Sequence, residues 1–227
     1  MVKIRYLGHA CFTVSDQGKT VIIDPFLSNN PLAAEKPEAV KADLILVTHG
    51  HFDHSGDAAI ISSKTGAPVY TTFELASRLE ALGAKIVGGN HGGTNDFGFT
   101  KVRICWAAHS SSFGEKLEYA GNPCGFVLNM GGKSIYHSGD TDLFGDMRLI
   151  GERHKLDVAL LPIGGFFTMD ADDALVAVEY LKPKFVIPMH YNTWPQIKAD
   201  PASFKNKVES KTSTKCVILK PGEEFTI

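Results

Sequence analysis

Short apolar runs separated by polar turns dominate the first 24 residues of the chain. Apolar residues cluster at positions 4–7, 12–14 and 21–23, and the polar segment 16–19 between two of these runs contains a glycine. Such runs between turn signals are typical of strands joined by tight turns. We therefore predict an antiparallel meander that ends at Asp24 and Pro25.

The pattern changes at residues 44–47, where four apolar residues follow one another without interruption. An unbroken apolar strand is typical of a sheet that is covered on both faces. A helix-like stretch follows at 54–64, and strand and helix signals then alternate. The further predicted strands are 68–71, 85–87, 100–107, 124–129, 134–136, 158–161, 185–187 and 216–219, and the further predicted helices are 73–82 and 171–181.

This alternation of strands and helices predicts a layered fold of the α/β class, or α+β in some schemes, with sheets packed on each other and helices outside. No long polar linker, low-complexity tract or fixed-period repeat divides the sequence. We therefore predict one domain that spans residues 1–227.

The charge balance argues against an electrostatically driven nucleic-acid binder. The chain has 25 acidic and 23 basic residues, a formal net charge of -2, and no long basic run. We find neither the apolar core of a secretion signal nor a continuous apolar run long enough for a membrane span. The four cysteines are too far apart for a zinc ribbon or a redox pair. We expect a cytoplasmic protein that acts on a small molecule, with no nucleic-acid or membrane partner and with a homo-oligomer as an open alternative.

Four metal-ligating side chains lie within six residues directly after the strand at 44–47: His49, His51, Asp53 and His54. Residues i and i+2 of an extended segment project to the same side, so His49 and His51 can bind one ion. Asp53 and His54, at the turn into the helix, can reach a second ion. The spacing therefore predicts a site for one or two metal ions.

Further ligands for such a site are expected at distant strand ends, because the loop alone cannot complete two coordination spheres. His109, Asp140 and His190 each follow an apolar strand. Open α/β sheets gather their functional residues at the carboxyl ends of strands. We therefore include these three residues in the predicted metal centre.

These residues together resemble the metallo-β-lactamase superfamily, whose signature is a His-x-His-x-Asp-His loop followed by a His, an Asp and a His. The resemblance spans essentially the whole chain and implies a four-layer αββα sandwich. It implies two metal sites that share one bridging ligand, with these assignments: the first metal on His49, His51 and His109, the second on Asp53, His54 and His190, and Asp140 as the bridge.

Several segments are similar to a narrower group, the small metal-dependent hydrolases related to ascorbate-phosphate lactonase. They are residues 8–10, 23–26, 109–111, 136–141 and 168–169. Flavin-linked di-iron relatives carry a Glu at the position of His51, and tRNA-processing nucleases add a long basic arm that this chain lacks. In the narrower group the positions of Gly165 and Phe166 are more often polar, so we expect a drier substrate pocket here.

The resemblance implies a dinuclear metal-dependent hydrolase that uses a metal-bound hydroxide, with no Ser or Cys nucleophile. Metal coordination lowers the pKa of a bound water from 15.7 to about 7. Two divalent cations, two carboxylates and one hydroxide together give the site a net charge near +1, which favours the binding of anions. The expected substrate is a small ester, lactone or phosphate-bearing metabolite. Zinc is the leading candidate, with manganese, iron or nickel as alternatives. A phosphodiesterase or nuclease, or a non-catalytic metal-binding domain, remains an alternative.

Asp53 and His9 are the catalytic candidates. His9 is interpreted as lining the pocket, where it would bind substrate or donate a proton. Asp24 is interpreted as a carboxylate that orients a ligand imidazole. The remaining residues expected around the site or in the pocket wall are His137, Thr141, Ser110, Phe167 and Met169.

Overall fold

Two seven-stranded sheets face each other across a core of 23 buried apolar side chains in the computed structural model, which describes all 227 residues. Elements are numbered in chain order. The first sheet has the spatial order β16 (Glu224–Thr226), β1 (Lys3–Gly8), β2 (Cys11–Asp16), β3 (Lys19–Ile23), β4 (Leu44–Leu46), β5 (Val69–Thr72) and β6 (Ile86–Gly89). The second has the order β15 (Lys215–Cys216), β14 (Phe185–Met189), β13 (Val158–Pro162), β12 (Lys133–His137), β11 (Cys124–Met130), β8 (Thr100–Trp106) and β7 (Thr94–Asp96).

Helices cover the outer face of each sheet. Separate buried apolar clusters lie beneath the helices of the first sheet and beneath those of the second, so the layers stack as αββα and the predicted fold class is confirmed. The first group of helices is α1 (Phe52–Ser55), α2 (Ala58–Thr65) and α3 (Phe73–Glu80); the second is α4 (Met147–His154), α5 (Ala171–Leu181) and α6 (Pro201–Lys211). The longest helices have 11 residues, and none combines the length and apolar character that a membrane crossing needs.

Strand direction brings the predicted ligands to one edge of the second sheet. β11 is antiparallel to both β8 and β12, whereas β12, β13 and β14 are parallel, so β8, β12, β13 and β14 run the same way. His109, Asp140 and His190 follow the carboxyl ends of β8, β12 and β14. The sheet topology therefore gathers three residues that lie far apart in the sequence.

The predicted meander at residues 4–23 and the hairpin formed by β11 and β12 are both present. Several elements differ from the predictions. Helices α4 and α6 and the closing strand β16 were not predicted. Of the strand predicted at 216–219, only Cys216 lies in a strand, β15 (Lys215–Cys216). A hairpin of two short strands, β9 (Ser112–Phe113) and β10 (Glu118–Tyr119), was also missed.

The helix predicted at 54–64 is two helices, and Asp57 explains the break. Its backbone N–H donates to the carbonyl of Pro25 at 3.0 Å instead of to a carbonyl of α1. Its buried carboxylate accepts hydrogen bonds from the N–H groups of Leu27 and Ser28, at 2.6 and 2.8 Å, and from the Ser28 hydroxyl at 2.6 Å. Asp57 therefore anchors the loop after β3 to the start of α2.

We predict that Asp57→Ala lowers the free energy of unfolding by about 3 kcal/mol, because the buried Leu27 N–H and the partly buried Ser28 N–H lose a charged acceptor. Urea denaturation of metal-free protein measures this without a contribution from metal loss. Asp146→Ala is the matched control, since that exposed side chain makes no hydrogen bond at the start of α4; its effect should stay below about 1 kcal/mol. Equal losses in the two variants would contradict the anchoring role.

Candidate metal centre

The loop that carries His49 and His51 is held against the β9–β10 hairpin through Gly50. A Cβ atom at Gly50 would lie 2.7 Å from the carbonyl oxygen of Ser112 and 2.9 Å from Cβ of Ala120, so only glycine allows this approach. The Gly50 N–H donates to the Ser111 hydroxyl at 3.1 Å, and that hydroxyl donates to the Ala120 carbonyl. The ligand loop and the hairpin thus form one packed unit.

His49, His51 and His109 form the first group of candidate ligands. One nitrogen of each imidazole lies within 4.8 Å of a nitrogen of the other two, and Nε2 of His49 is 2.9 Å from Nδ1 of His51. The Thr48 hydroxyl donates to Asp24 and accepts from Nδ1 of His49 at 2.9 Å. This network assigns the proton to Nδ1 of His49 and leaves the lone pair of Nε2 directed into the site.

Asp53, His54 and His190 form the second group. Together with His9 they place ligand atoms within 4.8 Å of one another. Nδ1 of His54 donates to the Asp24 carboxylate at 2.8 Å, which is the orienting contact expected for Asp24. Nε2 of His54 is therefore free to face the site.

The carboxylate of Asp140 lies between the two groups. Its Oδ2 atom is 3.1 Å from Nε2 of His190, 3.3 Å from Nε2 of His54 and 3.7 Å from Nε2 of His109. His137 fixes the preceding residue: its Nδ1 accepts from the Gly139 N–H at 3.1 Å, and its Nε2 donates to the Ala10 carbonyl at 2.9 Å. His137 is thus a buried residue behind the site and makes no hydrogen bond to a candidate ligand.

The donor set fits divalent cations because several of its atoms are buried without hydrogen-bond partners. These are Nδ1 of His190, Oδ1 of Asp140 and the Nε2 atoms of His54 and His190, which lie close to the Asp140 carboxylate but without the geometry of a hydrogen bond. A buried polar atom without a partner costs about 1–3 kcal/mol, and native proteins rarely cluster such atoms. Imidazole nitrogens and carboxylate oxygens are also the ligands that zinc and related metals prefer.

The two groups of histidines have opposite electrostatics in the metal-free protein. Burial lowers the pKa values of His49, His51 and His109, so these rings are neutral at pH 7 and ready to bind metal. Burial also acts to lower the pKa of His190, but the attraction of the Asp140 carboxylate outweighs it and raises this pKa to about 9. His54 shows the same competition, and its pKa is raised by Asp140 and Asp24.

His9 does not reach the cleft, so the prediction that it lines the pocket is wrong. Its side chain is fully buried, and Nε2 donates to Oδ2 of Asp53 at 3.1 Å while Nδ1 accepts from the Thr193 hydroxyl at 2.8 Å. Burial, together with the nearby His190 ring, lowers the pKa of His9 to about 4. A neutral His9 therefore holds Asp53 from behind.

Three residues of the site adopt left-handed backbone angles that non-glycine residues disfavour. The φ angles are 59° at His9, 47° at Asp24 and 53° at His190. Such conformations cost about 1–3 kcal/mol each and persist where surrounding contacts impose them, often at functional sites. The His190 N–H donates to the His9 carbonyl at 2.7 Å, so two of these residues brace each other.

The two groups of ligands open into one cleft of about 1110 Å³. Ser110 and Phe167 line it, as expected. Thr141 lies beneath it, where its hydroxyl accepts from the Ala108 N–H at 2.9 Å. Met169 is buried in the core under the helices of the second sheet and does not line the cleft, because its backbone N–H is tied to the Thr141 carbonyl. The expected role of Met169 in the pocket wall is therefore wrong.

Several residues of the site were not identified from the sequence. Thr48 directly precedes His49, and Ser111 lies two residues after His109. This proximity to a ligand in the chain could have identified both residues. Trp194 lines the cleft four residues after His190, and its ring centroid lies 4.9 Å from that of His9. Thr193 and the β9–β10 hairpin carried no local pattern that pointed to the site.

Comparison with known proteins identifies the family. Residues 3–190 match the family model described as the Beta-lactamase superfamily domain. A UPF0173 metal-dependent hydrolase from Pelotomaculum thermopropionicum is 53% identical over 229 residues, and the alignment covers 100% of both chains.

Solved structures show the same relationship. A metallo hydrolase from the hyperthermophilic archaeon Ignicoccus hospitalis has a TM-score of 0.90 and 40% identity, with coverage of 100% of this chain and 99% of that chain. The metallo-β-lactamase fold protein YhfI from Bacillus subtilis has a TM-score of 0.74 at 12% identity, with coverage of 99% and 98%, and shows likeness of fold alone. With its fold, its convergent His and Asp residues and these relatives, the chain belongs to the metallo-β-lactamase superfamily and is a metal-dependent hydrolase.

Proposed function

We propose that the protein is a dinuclear hydrolase that cleaves an uncharged carboxylic ester or lactone. The observation that carries the proposal is the arrangement of two ligand groups around one shared carboxylate at the floor of a single open cleft. Five of the seven candidate ligands line that cleft: His51, Asp53, His109, Asp140 and His190. A purely structural metal site is closed by protein ligands, so this exposure favours catalysis.

The lining of the cleft favours an uncharged substrate over a phosphate-bearing one. It contains no Lys or Arg side chain, and Glu115 adds a further carboxylate. Enzymes that bind phosphates commonly use Arg or Lys contacts in addition to a metal. A phosphodiesterase or nuclease is therefore the weaker alternative.

Bound divalent cations would activate water as a nucleophile near neutral pH and stabilise negative charge on the scissile oxygen. The protein's own residues set the geometry for this chemistry. Asp24 and Thr48 fix the ring orientations of His54 and His49, and His9 fixes Asp53. We propose zinc as the first metal to test, with manganese, iron and nickel as alternatives.

We predict two metal ions per chain in the loaded protein. His109→Ala removes a ligand of the first group only, and His190→Ala one of the second only, so each variant should retain about one ion and lose most ester hydrolysis. Elemental analysis of the dialysed proteins measures the stoichiometry. His154→Ala, which changes a histidine of α4 outside the site, should retain both ions and full activity. A single ion in the unaltered protein would contradict the dinuclear proposal.

We predict that the two groups release different numbers of protons when they bind metal. At pH 7 the metal-free His190 is protonated, because its pKa is about 9, and it must lose that proton to become a ligand. The affinity of the second group for metal should therefore rise about tenfold per pH unit, for each proton displaced, as the pH increases toward 9. The first group is already neutral and should release none.

Calorimetric zinc titrations in buffers of different ionisation enthalpy measure this release. His109→Ala reports on the second group and should show at least one proton lost, whereas His190→Ala reports on the first and should show almost none. Equal proton release in the two variants would show that the Asp140 attraction does not govern His190.

We predict that His9 acts on Asp53 and not on the substrate. His9→Ala should weaken metal binding at the second group by about 10–100-fold, the usual effect of losing a partner behind a ligand. His9→Gln, whose amide can still donate to Asp53, should lose less. With metal restored to saturation, KM should stay unchanged, because His9 does not line the cleft. A raised KM at full metal occupancy would restore His9 as a substrate contact.

A further inference from the structure

We infer that the outer part of the cleft binds an uncharged hydrocarbon group, so that the substrate is an ester or lactone with a long acyl chain or an aromatic substituent. This inference rests on the proposed function and adds the class of substrate. Three observations support it: an apolar wall formed by Phe52, Phe113, Leu117, Phe167 and Trp194, the continuity of that wall with the candidate ligands, and the charge at the rim of the cleft.

The wall is built from large apolar side chains that remain exposed to solvent. Phe52, Leu117 and Phe167 line the cleft and are 68%, 72% and 52% exposed, and Phe113 and Trp194 complete the wall. Exposed apolar side chains scattered over a surface need no explanation, but several gathered around one concave opening indicate a binding site. These residues come from four separate segments, so their convergence is a property of the fold.

The apolar wall and the candidate ligands belong to the same cavity. Its volume of about 1110 Å³ lies just above the range of about 300–1,000 Å³ for ligand pockets, so a scissile ester group at the ligands leaves most of the space for the rest of the substrate. A group attached to the reacting carbonyl would extend from Asp140 and His190 toward the apolar wall.

The wall is held in place before any ligand binds. Trp194 packs at a centroid distance of 6.1 Å from Phe26 and 6.3 Å from Phe52. The loop that carries Trp194 is closed by the Asn192 N–H, which donates to the Ile197 carbonyl at 2.8 Å. A preformed apolar wall lowers the entropic cost of binding.

The hairpin side of the cleft is also held to the rest of the protein. Arg78 on α3 forms an ion pair with Glu118 of the hairpin at 2.7 Å, and the base of the hairpin packs against Gly50. The hairpin therefore presents Phe113 and Leu117 to the cleft from a fixed support.

Charge at the rim disfavours an anionic end on the bound group. Glu115, at the tip of the hairpin, lines the cleft and has no ion-pair partner, and no Lys or Arg lines the cavity. A substrate whose far end carries a carboxylate or phosphate would meet this charge with no compensating cation. The group bound by the wall is therefore uncharged.

Fluorescence of Trp194 gives a test that does not depend on turnover. The chain has two tryptophans, and Trp106 does not line the cleft, so Trp106→Phe leaves Trp194 as the single reporter. Zinc-loaded Trp106→Phe protein is titrated with butanoate, decanoate and decanedioate, which share one carboxylate head and differ in the tail. Each buried methylene adds about fourfold in affinity, so decanoate should bind at least tenfold more tightly than butanoate.

Second substitutions in the Trp106→Phe protein test whether the residues of the apolar wall, and not a general effect of substitution, cause the tighter binding of decanoate. Leu117→Asn, which suits the φ of 50° at this position, and Phe167→Ala should each reduce the advantage of decanoate severalfold. Phe73→Ala, which changes a 64% exposed aromatic residue outside the cleft, should leave it unchanged. Decanedioate should bind more weakly than decanoate, and Glu115→Gln should narrow that difference.

The outcomes distinguish this inference from the proposed function. The hydrocarbon subsite is overturned if butanoate and decanoate bind with equal affinity. It is also overturned if Leu117→Asn and Phe167→Ala leave the tighter binding of decanoate intact. Either result counts even if short p-nitrophenyl esters are hydrolysed. Tail-dependent binding that these variants abolish supports the subsite. If zinc- or manganese-loaded protein hydrolyses neither a p-nitrophenyl ester from butyrate to decanoate nor a simple lactone, the proposed function fails while the subsite stands.

Discussion

The burial of the Asp140 carboxylate among imidazoles is the constraint on which the rest of the site depends. A buried carboxylate needs positive charge within a few ångström, because the interior does not solvate it as water does. In the metal-free protein His54 and His190 supply that charge as imidazolium ions, which is why their pKa values are raised despite burial. Metal cations therefore compete with the protons on His54 and His190 to neutralise the Asp140 carboxylate. Binding of metal at this site displaces those protons.

The candidate ligands could be predicted from the sequence because each carries a local signal. His49 and His51 alternate in an extended segment, and His109, Asp140 and His190 each follow an apolar strand that the hydrophobic pattern marks. Strand ends meet at a sheet edge in this class of fold, so local patterns were enough to place distant residues together. The same reasoning correctly predicted two packed sheets with helices outside, because an unbroken apolar run indicates a strand whose sheet is covered on both faces.

Local patterns failed where a side chain serves a distant segment. Asp57 lies within a helical pattern, yet its N–H and carboxylate bind the loop after β3, and the helix is interrupted. His9 lies at a turn between two strands and was expected to line the pocket, but its position behind Asp53 follows from contacts with Thr193 and His190. The pattern of apolar residues contains no information about such contacts, since they depend on the assembled fold.

The walls of the cleft are continuations of the ligand loops, and this connection couples specificity to metal geometry. Phe52 lies between His51 and Asp53, the β9–β10 hairpin begins three residues after His109, and Trp194 lies four residues after His190. The close approach at Gly50 allows little relative movement between the first ligand loop and the hairpin. A backbone shift at Phe52 or at the base of the hairpin would therefore also move the ligands, whereas truncation of the exposed Phe167 side chain, whose chain neighbours are not ligands, should not. Phe167 is thus a position where the apolar wall can change at little cost to the metal centre.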